Sequence, residues 1–225
     1  MLLLSVDTSG KQGSIALAQC GPAAECEVIG VVPLAGGTFS AQLVPQIAEL
    51  LAQHGLSKQS IGAFAVVSGP GSFTGLRVGL TAIKALAEVL RKPIAAISLL
   101  QAVAYASGKK GRVLAALDAG RNEIYAGQYQ LEASVEMLSE RLQAHDEFLS
   151  SAGASGSAIV TPDASIAQLA RSSNLDVEEI ERPRSDVVAR LGYRKIRAGE
   201  IVSPENLEAN YIRCTDAEIF SKPGS

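Results

Sequence analysis

Residues 66–90 limit what this chain can become more than any other stretch. They read Val-Val-Ser-Gly-Pro-Gly-Ser-Phe-Thr-Gly-Leu-Arg-Val-Gly-Leu-Thr-Ala-Ile-Lys-Ala-Leu-Ala-Glu-Val-Leu. The apolar run at 64–67 has the pattern of a buried strand. Gly69-Pro70-Gly71 stops it, through backbone freedom at the glycines and a fixed φ at Pro70. Ser72 or Thr74 then serves as N-cap of a helix. Leu76, Leu80, Ile83, Ala87 and Leu90 recur at helical spacing as an apolar stripe, beside a polar stripe of Arg77, Thr81, Lys84 and Glu88. Gly75 and Gly79 lie one turn apart. A glycine inside a helix costs about 1 kcal/mol relative to alanine, so the pair predicts that another backbone comes close there. Two readings stay open: a core helix on a sheet, or a helix that docks a partner.

A strand, a glycine loop and a helix N-terminus can also cradle phosphate. Here the loop is neither a P-loop nor a dinucleotide fingerprint. Ser72 is not a nucleophile elbow either, since Pro70 holds the place of the first glycine of Gly-x-Ser-x-Gly. His54 and His145 are the only histidines, with no HExxH and no neighbouring carboxylate cluster at ligand spacing. The sequence therefore assigns no catalytic residue and no metal ligand.

On either side of this stretch the chain alternates strands and helices. Residues 2–6 and 14–19 read as a β-hairpin with Asp7, Thr8 and Ser9 at its mouth. Residues 28–32 make a third strand. Residues 40–54 form a helix with Leu43, Ile47, Leu50, Leu51 and His54 on one face, Gly55 as its stop and Pro45 past its first turn. Strand 94–97 and helix 99–106 follow. The loop 107–111, Ser-Gly-Lys-Lys-Gly, is the natural linker. Beyond it, strand 113–117 ends in Asp118 and strand 124–129 returns, an echo of the first hairpin. Strands at 137–142 and 158–161, a Ser/Gly/Ala loop at 150–157, and helices at 165–170 and 186–198 complete the pattern. Arg190, Arg194, Lys195 and Arg197 give the last helix a basic side, read as a solvated face. This organisation makes residues 1–106 a first domain and 107–200 a smaller second one. Residues 201–225 are a tail that packs back on the first domain and then loosens.

The glycine loop, continued by Lys84 and Lys92-Pro93-Ile94, resembles the TsaB family, the dimerisation subunit of the bacterial tRNA threonylcarbamoyladenosine synthase machinery. The resemblance extends to Leu4-Ser5-Val6-Asp7-Thr8-Ser9, to residues 117–125 and to Leu207-Glu208-Ala209-Asn210-Tyr211-Ile212-Arg213. It implies an α/β fold of two related actin-like, RNase H-like domains, each a mixed sheet opening with a β-hairpin and flanked by helices. It also implies a non-catalytic partner subunit for N6-threonylcarbamoyladenosine formation in tRNAs that read codons starting with A. That subunit docks a TsaD-like catalytic paralogue, supports a TsaE-like ATPase and meets tRNA only indirectly. Leu43, Ile47, Leu50, Leu76, Leu80 and Ile83 would supply the apolar area, with Gly75 and Gly79 allowing a close helix crossing. Without the paralogue the same surface would close a homodimer.

The TsaD family carries two metal-binding histidines on the helix after the Lys-Pro landmark. Those places correspond here to Leu99 and Val103, which cannot ligate a cation. The competing reading is an ATP-binding or ATP-hydrolysing protein of the actin-like superfamily. In it Asp7, Thr8 and Ser9 sit at the first phosphate position, and Asp118 with Ala119 and Gly120 at the second. Either Asp could instead cap its own turn. No cofactor is assigned to this chain, although ATP or ADP could enter the complex. Two departures stand out: Phe39, where relatives place histidine, and Ala209, where they often carry proline.

Composition narrows the setting. Aromatics are 4% of the chain and Trp is absent, while 47% is hydrophobic, so the core must be aliphatic. A formal net charge of −3 argues against broad RNA binding. Cys20, Cys26 and Cys214 show no zinc spacing and read as free thiols of a cytoplasmic protein, the pairing of Cys20 with Cys26 being the lesser alternative. The opening Met-Leu-Leu-Leu, with Asp7 close behind, reads as a first strand rather than a signal peptide, and no run is long enough to span a membrane.

Overall fold

The computed structural model describes residues 1–22, 26–132 and 134–212. Arg213, Cys214 and the expected loose tail lie outside the described residues. In order, the elements are β1 (Leu2–Asp7), β2 (Gln12–Cys20), β3 (Cys26–Ala35), α1 (Phe39–Gln53), β4 (Ile61–Gly69), α2 (Phe73–Leu90), β5 (Ile94–Ser98), α3 (Leu99–Ala106), β6 (Gly111–Gly120), β7 (Glu123–Leu131), β8 (Val135–Ala144), α4 (His145–Ser155), β9 (Ala158–Thr161), α5 (Ala164–Ser172), β10 (Val177–Glu179) and α6 (Ser185–Ala198).

They form two five-stranded mixed sheets, ordered β3-β2-β1-β4-β5 and β10-β9-β6-β7-β8. In each, the first three strands in sequence run antiparallel as a meander, and the next two add in parallel beside the first. The expected duplication is thus a repeat of topology: β6 to β10 retrace β1 to β5. A parallel return needs a crossover, and α1 and α2 supply it in the first sheet as α4 and α5 do in the second. The chain has the two-part α/β, actin-like and RNase H-like architecture.

One compact unit comprises Met1–Ala102 and Pro183–Ala209. The other comprises Val103–Arg182 and the described residues from Asn210 onward. Helix α6 therefore belongs to the first unit, although the sequence reading put residues 107–200 together. The division falls within α3, a few residues before the linker read from Ser107-Gly108-Lys109-Lys110-Gly111.

The first sheet is covered on both sides, so β1 is buried along its whole length. That is the burial of a central strand with parallel neighbours. Helices α1 and α2 pack on one side and α6 on the other. Val6 faces Gly79 of α2, while Ala65, in the register of Ser5, faces Gly192 of α6. A Cβ on Gly192 would stand 2.3 Å from the Ala65 Cβ, so glycine lets α6 sit close. The N-terminus of α6 is latched by a buried serine cluster. Ser5 Oγ donates to Ser185 O at 2.6 Å, Ser185 Oγ to Ser14 O at 2.6 Å, and Ser185 N to Ser14 Oγ at 2.9 Å. The basic residues of α6 are not all solvated. Lys195 Nζ donates to Ala96 O at 3.1 Å, the Arg197 guanidinium donates to Pro22 O, and Arg190 pairs with Asp186 at 3.2 Å.

The second unit has a core of Leu114, Ala116, Ile124, Ala126, Phe148, Ala152, Ile159, Ile166 and Ala170. Helix α4 falls where the sequence suggested a loop. Phe148 and Ala152, one turn apart, bury themselves in this core, Asp146 and Glu147 occupy the positive N-terminal turn, and Gly156 ends the helix in the left-handed region. Packing overrides the weak propensity of Ser-Ser-Ala-Gly-Ala-Ser. Part of the C-terminal motif finds a role here: Asn210 Nδ2 donates to Glu140 Oε2 at 2.8 Å, and the Tyr129 hydroxyl donates to the same carboxylate. Ala209 lies half-buried beside it.

Cys20 and Cys26 correct the free-thiol reading. The β2–β3 register sets them opposite each other, with Cα atoms 4.1 Å apart, and a disulfide joins them. The six-residue spacing looked unpatterned because strand pairing, not a motif, brings the sulfurs together. Among the described residues no helix is long and apolar enough to cross a membrane.

The serine latch makes a direct prediction. Ser185→Ala leaves the Ser14 carbonyl and hydroxyl short of a buried partner, which costs about 1–3 kcal/mol. Urea unfolding should show a lower midpoint, whereas Ser150→Ala, on an exposed position, should shift stability by no more than about 0.5 kcal/mol.

Candidate partner-docking site

Helices α1 and α2 lie side by side on one face of the first sheet and touch each other. Helix α1 starts at Thr38, whose hydroxyl donates to Ala35 O at 3.2 Å and accepts from Gln42 Nε2 at 2.5 Å. It carries Pro45 on its outward side. Helix α2 starts at Ser72, whose Oγ accepts from Gly75 N at 3.3 Å, and stops where Arg91 turns left-handed. Ser72 is therefore the cap, as its place before the helix indicated.

The residues expected to form the docking contact do not lie on the surface. Leu43, Ile47, Leu50, Leu76, Leu80 and Ile83 are all buried against the sheet or the neighbouring helix within the first unit. The close approach predicted from Gly75 and Gly79 exists, but its partner is internal. A Cβ on Gly75 would stand 2.0 Å from Thr8 O, and one on Gly79 2.4 Å from Thr8 Oγ1. The Thr8 hydroxyl donates to Gly75 O at 2.7 Å. The glycines thus seat α2 on the β1–β2 turn of its own chain. Helical periodicity locates a buried stripe but does not say what buries it, so the core stripe was mistaken for the contact.

Phe39 joins the same junction. Its buried ring limits the space beside Gly13 and lies 3.5 Å from where a Gly75 Cβ would be. The Phe39 ring therefore packs at the mouth of the first hairpin.

What the two helices offer outward is a second strip of small and apolar residues, with the exposed charges of Glu49, Arg77 and Glu88 beside it. On α1 the exposed Ala41, Val44, Pro45, Ala48 and Ala52 share one side. On α2, Thr74, Thr81, Ala85 and Val89 are exposed along one stripe with half-buried Val78 and Ala82 beside them. Val44 is 54% exposed and Val89 74%. At the start of α2 the Arg77 guanidinium lies 3.8 Å from the centroid of the half-exposed Phe73 ring. A surface helix normally turns charged residues to solvent, and an apolar outer face is the mark of an interaction surface. The signal was present in the sequence at Val44, Pro45 and Ala48, out of phase with the core stripe.

The proposed nucleotide residues are engaged locally. Asp7 is buried, and its Oδ1 accepts from Ser9 N at 2.8 Å and Ser9 Oγ at 2.6 Å. Ser72 N donates to Ser9 O at 2.7 Å, which brings the glycine loop down over this turn. Asp118, by contrast, is exposed; its Oδ1 accepts from Gly120 N at 2.7 Å and its N–H donates to Asp163 Oδ2 at 2.8 Å. Each Asp braces its own turn, the alternative that the sequence left open. Leu99 and Val103 are both fully buried apolar residues of α3. His54 follows the end of α1 and is exposed, while His145 begins α4 with its N–H on Asn122 O. Among the described residues no three His, Cys, Asp or Glu side chains converge as a metal site.

The comparison with known families bears on this geometry. The family model described as "TsaD: tRNA N6-adenosine threonylcarbamoyltransferase" matches residues 24–187. The chain belongs to the TsaD family. Within it, the chain stands with the TsaB proteins. It is 38% identical over 131 residues to a tRNA threonylcarbamoyladenosine biosynthesis protein TsaB of Haemophilus influenzae, covering 57% of this chain and 53% of that one. It is 33% identical over 133 residues to the Escherichia coli protein of the same description, covering 58% and 55%. This TsaB-family chain spans about half the length of the curated relatives it matches. Its fold is that of the structure described as YeaZ from Pseudomonas aeruginosa, with a TM-score of 0.76 at 24% identity over 93% of this chain and 99% of that one.

The buried position of Gly75 is testable in the isolated protein. Gly75→Ala would gain about 1 kcal/mol of helix propensity, but a methyl against the Thr8 carbonyl forces a backbone shift costing about 1–3 kcal/mol. The clash wins, so the melting temperature of the chain alone should fall. An unchanged melting temperature would mean that α2 does not sit on the hairpin turn.

Proposed function

We propose that this chain is a partner subunit for N6-threonylcarbamoyladenosine formation in tRNA, without catalytic chemistry of its own, and that it docks a TsaD-type relative through the outward faces of α1 and α2. The observation that carries the reading is the exposed strip of Ala41, Val44, Pro45, Ala48, Thr81, Ala85 and Val89 on two adjacent helices. The names of the relatives support it: the Haemophilus and Escherichia proteins are described as tRNA threonylcarbamoyladenosine biosynthesis proteins. Helix-on-helix packing suits such a surface, because small residues let a partner helix approach and valines supply apolar area to bury.

In this reading the glycine loop and the β1–β2 turn are structural. They hold α2 in place, and α2 with α1 makes the surface. The TsaD-type relative supplies the transfer chemistry, a TsaE-type ATPase joins the pair, and tRNA is held mainly by the relative. When the relative is absent, two copies of this chain pair through the same helices. The bond pattern of Asp7 supports a bracing role over an ATP site, since Ser9 and the glycine loop already occupy the turn.

Two substitutions test the surface. Val44→Glu and Val89→Glu change exposed side chains, so the stability of the isolated chain should move by no more than about 0.5 kcal/mol. Each should sharply reduce co-purification with the genome's TsaD-like protein, and a reconstituted tRNA modification reaction should lose activity in parallel. Full co-purification of the double variant would refute the surface. Equal tRNA modification with and without this chain would refute the function.

A further inference from the structure

Cys20 and Cys26 are the terminal facing pair of the β2–β3 hairpin, and they are bonded. We propose that this pair is a thiol-exchange site, taking low-molecular-weight thiols of the glutathione class, which makes and breaks the covalent link between β2 and the edge strand β3.

Three observations carry this. The two cysteines differ in access: Cys20 is 3% exposed, whereas Cys26 is half-buried on the edge strand. An incoming thiolate therefore reaches Cys26. Next, the sheet register, with Cα atoms 4.1 Å apart, keeps Cys20 opposite Cys26 after the bond opens. Reclosure is then intramolecular and favoured over capture of a second molecule. Finally, the residues just after Cys20 are fastened to α6. The Tyr193 hydroxyl donates to Gly21 O and the Arg197 guanidinium to Pro22 O. Gly21 and Pro22 are therefore held on α6 whether the bond is open or closed, and Cys20 keeps its place.

The exchange balances in two steps. The thiolate of the small thiol bonds to Cys26 Sγ, and the S–S bond breaks with its electron pair going to Cys20 Sγ, which takes a proton from water. A second small thiolate then attacks the mixed disulfide at the small molecule's sulfur. It leaves as the oxidised small-molecule disulfide, and Cys26 takes the pair and a proton. Two electrons pass to the protein, and oxidised glutathione reverses both steps.

Alkylation of the full chain, read by intact mass, tests the proposal. After equilibration with oxidised glutathione and trapping in denaturant, Cys20 and Cys26 should add no alkyl group, so that at most one adds, at Cys214 where it is not itself capped by glutathione; after excess reduced glutathione, three should add. Three groups under oxidising conditions, or one under reducing conditions, would overturn exchange. The wild-type count needs no variant. Cys20→Ser should accumulate a glutathione adduct on Cys26 under oxidised glutathione, while Cys26→Ser should resist modification at buried Cys20. The opposite preference would overturn the assigned point of attack. Reduction should also lower the melting temperature by several degrees, because the closing bond restricts the unfolded chain. An unchanged melting temperature would show that the bond does not clasp the hairpin.

Discussion

The first unit depends on one close approach: helix α2 sits directly on the β1–β2 turn. Two glycines make room for it, and the Thr8 hydroxyl closes it with a 2.7 Å bond to Gly75 O. The turn is in turn braced by Asp7, and the loop before α2 donates from Ser72 N to Ser9 O. Gly71, Ser72 and Gly75 of the signature are accounted for by this junction. Remove it, and α2 loses its seat on the sheet and α1 loses its neighbour.

The same topology occurs twice, with different demands. In the first sheet the hairpin mouth is buried, since Asp7 lies beneath the glycine loop. In the second, Asp118 is exposed and the crossover helices are short. A duplicated framework has thus been elaborated in one half. Long amphipathic helices and tight glycine seats mark the half that carries the candidate surface. The other half holds a small aliphatic core around Phe148.

Much of this was legible in the sequence. The hairpin of β1 and β2, the strand–loop–helix at 61–90 and the echo at Asp118 each follow from local signals: alternation, turn residues and helical spacing. Helix α4 was not legible, because its seed is two residues, Phe148 and Ala152, whose burial depends on strands distant in sequence. The disulfide ranked below free thiols for the same reason, being a product of register. The docking residues were misjudged in an instructive way. Leu43, Ile47, Leu76 and Leu80 form the strongest stripe, and the strongest stripe goes to the core. The weaker stripe of Ala41, Val44 and Ala48, out of phase with it, is the one left exposed.

The serine latch carries a consequence for biosynthesis. Ser5 and Ser185 are 180 positions apart, yet they share a buried bond. The first five strands leave the ribosome long before the helix that roofs one side of their sheet. Until Ser185 emerges, the face around Ala65 lacks the helix that covers it, so the first sheet must wait, partly open, while the 180 positions from Ser5 to Ser185 are made.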